Sequence, residues 1–407
     1  MITLVKHELF KLFKRVKTLV VVIGFILLTG LMAFGLHKDA ENMKMYNSPE
    51  FRIKDMERSI THSEEQKKNI PPDIKDDKAK TDEYVKRIDE DILQMKDEIS
   101  KLKALNGKEV DWKENLNVRI QEVEKRLKED QTASSEMKGR WTQELEQLKY
   151  LKDHNIKPME SYDFNAFNYI GKYISILGQV FLIIGLAVFA SDMVSGECTP
   201  PTLKLLLTQP VSRSKVIFSK FIAITIAAVA SILAIELLSF LIVGLIYGFG
   251  NASYPVMVGY KYQLDPRVIL DNGAQQLNVI AGSAHIIPMW KYTINLFLMQ
   301  GLFIITCTSF AFLVSTLVKS SMVSMGITTV SLIAMTILFN TINALKKLSM
   351  YVFTSYNDMG AIIEGHTAQM FNNPSSTLGL AVLIFAGWTI VCYLISHFVF
   401  TKKDILI

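Results

Sequence analysis

Residues 191–220 read SDMVSGECTPPTLKLLLTQPVSRSKVIFSK, and they lie between two long apolar runs. Pro200, Pro201 and Pro210 cut this stretch into pieces. Between them sits TLKLLL, residues 202–207, an apolar helix of one to two turns. It is far too short to cross a bilayer, which takes about 20 residues. Ser212, Arg213, Ser214 and Lys215 follow Pro210 and lead into the next apolar run. A short helix lying flat under a membrane protein, capped by small polar residues and flanked by cations, suits docking to a soluble partner.

The composition outside this loop is that of a membrane protein with one large polar insertion. Half of the 407 residues are apolar. Residues 37–169 hold 26 Lys+Arg and 30 Asp+Glu, a net of −4, and the remainder holds 18 and 9, a net of +9. A basic excess flanking apolar runs marks the inner face of a membrane protein, not a nucleic-acid surface. We therefore expect an all-α polytopic membrane protein with six transmembrane helices, at 18–36, 170–191, 219–248, 291–318, 321–344 and 377–400. The first reads as a retained anchor, because no small-x-small cleavage site follows Leu36. The loop at 192–218 and a tail at 401–407 carry Lys204, Arg213, Lys215, Lys220, Lys402 and Lys403, which places both termini and this loop inside the cell. Cys198, Cys307 and Cys392 all lie outside the polar insertion, so no disulfide framework is available there.

Residues 1–17 read as an amphipathic helix. Ile2, Val5, Leu9, Leu12 and Val16 recur at helical spacing, and Lys6, Lys11, Lys14, Arg15 and Lys17 supply cations for anionic headgroups. The insertion at 37–169 reads as an extracytoplasmic helical coiled-coil hairpin between the first and second transmembrane helices. Val85, Ile88, Ile92, Met95, Ile99 and Leu102 make a heptad seam, and Asn106-Gly107 breaks it. Leu116, Ile120, Val123, Leu127, Met137, Trp141, Leu145 and Leu148 continue on a second helix of roughly 60 Å. The lead-in from 40 to 70 reads as looser. Outside loops are expected at 249–290 and 345–376, the first with a re-entrant or interfacial piece near Val279 to Ile287.

Within the spans, Gly171, Gly178 and Gly185 recur every seven residues, a stripe where another helix can approach. Glu236 sits mid-span, and a carboxylate there costs on the order of 2.5–3.5 kcal/mol on insertion scales. Three roles fit it: a hydrogen bond to a neighbouring span, a substrate path, or a proton or cation site. Asn295 and Gln300 are the other polar candidates for a translocation path.

The pattern Glu197, Thr202-Leu203, Leu205-Leu206-Leu207, Pro210-Val211-Ser212-Arg213 and Lys220 resembles the loop after the second span of type-2 ATP-binding-cassette exporter permeases. It departs from that family's usual Gly-Thr in having Pro201 before Thr202. The resemblance implies that Glu197, Thr202, Leu203, Leu206, Arg213 and Lys220 form or flank a coupling helix seated on a separate ATPase subunit. It implies two ATPase copies, a homodimer or a heterodimer with a second permease, and an interfacial N-terminal helix among membrane lipids. No G-x-x-x-x-G-K-[ST] loop and no H-E-x-x-H motif is present, so we expect no catalytic residue and no metal site in this chain. ATP and Mg are expected on the partner, and the chain binds no cofactor of its own. Two functions follow. One is the permease of an ATP-driven exporter of amphipathic or hydrophobic cargo in a bacterial plasma membrane. The alternative is a non-transporting sensor or force transmitter whose outside coiled coil relays conformation.

Overall fold

In the computed structural model of the chain, residues 1–71, 78–105, 111–130, 135–160, 162–179, 181–198, 211–269, 275–342, 345 and 348–402 are described. Their helices are α1 (Ile2–Lys14), α2 (Val16–Tyr46), α3 (Pro49–Lys68), α4 (Lys78–Leu105), α5 (Trp112–Glu129), α6 (Ser135–Asp153), α7 (Ala166–Gln179), α8 (Phe181–Ala190), α9 (Arg213–Tyr247), α10 (Met289–Leu317), α11 (Ser321–Thr341), α12 (Met359–Glu364), α13 (Thr367–Phe371) and α14 (Leu378–Lys402). Four strands, β1 (Pro255–Val258), β2 (Tyr262–Ile269), β3 (Gln275–Val279) and β4 (His285–Pro288), lie between α9 and α10. Two compact units result: Met1–Phe34 with Ile120–Ile156 and Asn165–Ile407, and Gly35–Arg119 with Lys157–Phe164.

In the first unit, α2, α9, α10, α11 and α14 are each long and apolar enough to cross a membrane. The expected second span is not one straight rod. Its pieces, Ala166–Gly178 and Phe181–Glu197, pass the same test only as a pair, at 63° to one another. The hub is α10. Of its apolar window 67 % is buried inside the chain, against 11 % for α2 and 17 % for α14. A helix apolar on all sides that still exposes most of its surface needs lipid or another apolar body around it. The core around α10 is aromatic: Phe303 lies tilted against Phe353 and edge-on to Phe385, and Phe353 meets Trp388 at a centroid distance of 5.2 Å. The glycine stripe divides. A Cβ on Gly185 would sit 2.2 Å from the Phe25 ring of α2, and one on Gly178 2.3 Å from the Asn357 carbonyl, whereas Gly171 faces open space. The close approaches are real, but they serve different neighbours.

Residues 249–290 add a β-ribbon to a chain that is otherwise mostly helical. The strands nest: β1 pairs antiparallel with β4, from Pro255 opposite Pro288 to Val258 opposite His285, and β2 pairs with β3 inside them. The piece near Val279 to Ile287 is therefore the return limb of a β-ribbon, not a re-entrant segment. Gly259 and Gly282, both at positive φ, mark the joint between the two strand pairs. The ribbon is held by α12, since Tyr260 N–H donates to the Glu364 carbonyl at 2.7 Å and Gly259 N–H to that of Ile363. Residue 365 has to be glycine: its φ is +99°, and a Cβ would lie 2.3 Å from the Tyr260 carbonyl oxygen. On the other side, Gln147 of α6 donates to the Pro255 carbonyl at 3.0 Å.

The insertion at 37–169 is not one body, because Ile120–Ile156 belongs to the first unit. Its second helix is not a single 60 Å rod either. Lys149 of α6 pairs with Glu124 of α5 at 2.8 Å, whereas 25 residues along one helix would hold them about 37 Å apart. In the second unit the seam on α4 finds a different partner from the expected one. Ile88, Ile92 and Ile99 pack on Ile53 and Ile60 of α3, with Met56, Tyr84, Met95 and Leu102 at the edges. The segment read as a loose lead-in is thus the second limb of the hairpin. Ser48 starts it, its hydroxyl accepting from the Phe51 N–H with Pro49 in the first turn. Arg52 to Glu98, Lys67 to Asp89 and Lys103 to Glu57 tie the two limbs along their rims. Asn106-Gly107 lies outside the described residues.

Candidate coupling site

The central segment of the loop that opened the sequence reading, with Thr202, Leu203 and Leu206, lies outside the described residues. Its two ends are described, and both are fixed from several sides.

The near end follows α8. Residues 191–197 make a turn and one 3-10 turn, Ser195–Glu197, that is fully buried except at Asp192 and Gly196. A chain leaving a helix exposes peptide N–H groups that need acceptors. Ser315, near the end of α10, takes two of them: the N–H of Val194 at 3.0 Å and of Ser195 at 3.1 Å. The Ser195 hydroxyl donates to the Ser191 carbonyl, and so does that of Ser324 in the first turn of α11. The near end therefore rests on α10 and α11 through serine hydroxyls, with Met193 and Val194 buried beside them.

The far end is the start of α9. Ser212 is its N-cap residue. Arg213 donates to the Thr401 carbonyl at 3.4 Å, joining α9 to the last turn of α14. A cation there also answers the negative end of the α14 dipole. Two turns on, Lys220 is wholly buried, and its ammonium donates to Glu197 Oε1 at 2.7 Å and to Glu8 Oε1 at 2.9 Å. Lys11 donates to the same Glu197 oxygen. Glu8 and Lys11 are three residues apart on α1, hence on one face. That face, with Leu12 1 % exposed, lies along α9. Two carboxylates and two ammonium groups cancel, which lets Glu8, Glu197 and Lys220 stay largely out of water while Lys11 keeps its contact with solvent.

A second, shallower ion pair stands beside the first. Arg15 leaves the helical region, at φ −75° and ψ 128°, and separates α1 from α2. Around this break Lys17 reaches Asp192 at 3.1 Å and Arg15 reaches it at 3.9 Å. Three of the five cations expected to face headgroups thus meet the chain's own carboxylates. Of the sequence candidates, Glu197 and Lys220 come together, and Arg213, at the start of α9, sits apart against α14. Glu8, Asp192, Ser315 and Ser324 were not singled out from sequence. Only Glu8 carried a signal, as the one acid in the first 38 residues.

The intramembrane candidates make a second, separate pair. Glu236 of α9 is fully buried, and Gln300 of α10 donates to its Oε1 at 3.1 Å. No cation pairs with Glu236 among the described residues, and its other oxygen has no hydrogen-bond donor there. Tyr173, buried nearby on α7, shares a hydrogen bond with Thr29 of α2 at 2.8 Å. This geometry fits the first of the three roles considered for Glu236. Asn295, five residues before Gln300 and so about 140° round the helix, is half-exposed and takes no part.

At the opposite end of the unit, the ribbon and α12 bring together a titratable group. Tyr292 donates to Glu364 Oε1 at 2.7 Å, His366 Nε2 lies 3.4 Å from Glu364 Oε2, and the Tyr262 hydroxyl meets His366 Nδ1 at 2.8 Å. Burial pushes the Glu364 carboxyl above its ordinary value, with the Tyr292 hydrogen bond and His366 holding it back and Asp358 adding to the rise. Among the described residues no group of His, Cys, Asp and Glu is arranged to hold a metal ion.

A family model described as ABC-2 family transporter protein matches residues 2–405 of the chain. The chain is also similar to the uncharacterized protein YhcI of Bacillus subtilis, 22 % identical over 296 residues that cover 72 % of this chain and 84 % of that one.

Proposed function

The chain belongs to the ABC-2 family of transporter proteins, and from that premise we propose that it is the permease subunit of an ATP-driven exporter in a bacterial plasma membrane. The match across residues 2–405 carries the reading, because it spans the whole helical array and not the loop alone. Members of the family work with an ABC ATPase, and nothing in this sequence supplies a P-loop. ATP and Mg then belong to two copies of a partner. Residues 192–218 form the cytoplasmic coupling loop, and Thr202, Leu203 and Leu206 are its contact residues for the ATPase. Glu197, Arg213 and Lys220 act at its base, where they anchor the loop to α1, α9 and α14. Both termini lie in the cytoplasm.

The wide apolar faces of α2, α11 and α14 support a second permease copy or a related chain beside this one, with lipid around both. Ile2, Phe10 and Phe13, each more than half exposed, give α1 an apolar outer face. With Lys6 and Lys14 next to them, that face suits the boundary of an anionic leaflet. The cargo is amphipathic or hydrophobic: a peptide, a lipid-like compound or a drug. Glu236 and Gln300 hold α9 to α10 inside the array that moves such a cargo.

Co-expression with the ATPase encoded beside this chain, followed by affinity purification, tests the reading. The wild-type chain should bring the ATPase with it. Leu206→Asp and Arg213→Glu should lose it while the permease itself stays folded. Full co-purification of both variants would refute the assignment of the loop.

One observation favours a second function. The α3–α4 hairpin has its own core within a separate compact unit, which suits a sensor or force transmitter acting outside the membrane. A transmitter should fail when α3 and α4 are shortened together by one heptad, and it should tolerate Glu236→Gln. An exporter should show the reverse.

A further inference from the structure

Glu236 of α9 and Gln300 of α10 are both wholly buried, and the Gln300 amide donates to Glu236 Oε1. Glu236 Oε2 and Gln300 Oε1 have no hydrogen-bond partner among the described residues. An ionised carboxylate only accepts, and an amide carbonyl only accepts. The pair is therefore short of one donor. Its neighbours are engaged elsewhere. Tyr169 and Tyr173 of α7 are the titratable groups that face Glu236. Tyr169 reaches Ser239 of α9, and Tyr173 shares a hydrogen bond with Thr29 of α2. The Ser239 hydroxyl is turned to the Glu236 backbone carbonyl at 2.8 Å. An ionised Glu236 would thus be an unpaired charge out of water, far more costly than a lost hydrogen bond. One proton on Oε2 removes both defects. It cancels the charge, and its O–H is the donor that Gln300 Oε1 lacks. Acid and amide then make two hydrogen bonds, each group donating one and accepting one.

We propose that Glu236 and Gln300 form a proton-binding site in the membrane array, filled while α9 and α10 are closed on each other. When the array opens and water reaches the pair, the O–H bond of the acid breaks, the proton passes to water, and the carboxylate left behind is hydrated. Closure returns one proton and consumes nothing else. Exchange runs to the outer end of the array. Asn165, Tyr169 and Tyr173 stand one helical turn apart along the start of α7. That start is bonded to the outer end of α9, the N–H groups of Ala166 and Phe167 donating to the carbonyls of Gly248 and Phe249. The release step rests on the exporter reading above, whereas the proton at rest does not.

The test is infrared spectroscopy of the full chain with its ATPase at neutral pH. The nanodiscs are of ether-linked phosphatidylcholine and phosphatidylglycerol, which have no ester carbonyls to mask the signal. At rest the wild type should show a protonated-carboxyl C=O band that shifts in heavy water and is lost in Glu236→Gln. Gln300→Leu, the second variant, should keep the band and move it to higher frequency, because the amide partner is gone. A Glu236→Gln spectrum that loses only ionised-carboxylate intensity would overturn the proton site, as would a band that neither variant alters. Trapping the complex with ATP and vanadate should remove the wild-type acid band and add carboxylate intensity in its place, with neither change in Glu236→Gln. An acid band that persists in the trapped complex would overturn the release step. A complex that does not form or does not trap would instead sink the exporter reading, and the resting band would still decide the site.

Discussion

Lys220→Met is the most informative single change in this molecule. It keeps the length and apolar stem of the side chain and removes the ammonium that Glu8 and Glu197 share. Removing one member of a buried ion cluster costs about 3–5 kcal/mol, because the members left behind stay charged and out of water. The lower end applies here. Glu197, 1 % exposed, keeps Lys11, whose own side chain is 43 % exposed, and Glu8 is 11 % exposed and can turn towards solvent. About 3 kcal/mol is therefore expected. The triple variant Glu8→Gln, Glu197→Gln, Lys220→Met removes the stranded charges as well, and it should return to within about 1 kcal/mol of the wild type. Lys11 is then unpaired but hydrated. The assay is reversible unfolding in mixed micelles across a series of SDS mole fractions. Tryptophan fluorescence is the readout, with Trp388, partly buried and packed on Phe353, as the reporter. A single variant within about 0.5 kcal/mol of the wild type would refute the reasoning. So would a triple variant no more stable than the single one, because non-additivity is the signature of the cluster.

Three further outcomes are expected. Ser315→Ala orphans the N–H groups of Val194 and Ser195, at about 1–3 kcal/mol for each buried donor; since about 1.4 kcal/mol is a factor of ten, maleimide labelling of Cys198 should quicken at least about tenfold, while the buried Cys307 and Cys392 stay silent. Ile92→Ala opens the α3–α4 core at about 2–4 kcal/mol, and amide exchange should rise across α3 and α4 with no change in α10. At Glu364, burial raises the carboxyl, so the folded state holds a proton that the unfolded state has lost. Its contribution is full below the ordinary carboxylate value and fades as the pH rises through the folded-state value. Amide exchange in α12 and α13, corrected for intrinsic rates, should show protection falling over that window, and Glu364→Gln should flatten the slope.

Much of the fold was legible because a membrane span is written in composition. Composition pointed to long apolar helices, and five helices are long and apolar enough to cross a membrane. Where the reading failed, a period was visible but its partner was not. The three-four seam on α4 says that one face seeks an apolar surface. Both Ile53, Met56, Ile60 and Leu116, Ile120, Val123 have the spacing to supply one. The second set was chosen because a Gly turn made it adjacent, and the structure uses the first. The ribbon was hidden for another reason. PVMV, QQLNV and HIIP are too short to alternate clearly, and β2 contains Pro266. What fixes them is the register of Pro255 against Pro288 and the support of α12, neither of which is local.

At the loop, the sequence showed charge but not where the charge is spent. Five cations in residues 6–17 looked like a surface for anionic lipid. Lys11, Arg15 and Lys17 instead answer Glu197 and Asp192. That leaves Lys6 and Lys14 on the outer face, the latter over the Phe10 ring at 4.3 Å. At about 1 kcal/mol for each cation near an anionic surface, the electrostatic hold of α1 on the membrane is about 2 kcal/mol, less than half of what the sequence implied. The difference decides how α1 behaves. A helix pinned by five cations would be held chiefly by lipid, whereas one left with two is held chiefly by its buried charge cluster, which costs about 3–5 kcal/mol to break. Glu8 was the clue, since a lone acid in a helix meant only for anionic lipid would work against binding. Its presence there requires a cation of the chain's own, and Lys220 is that cation.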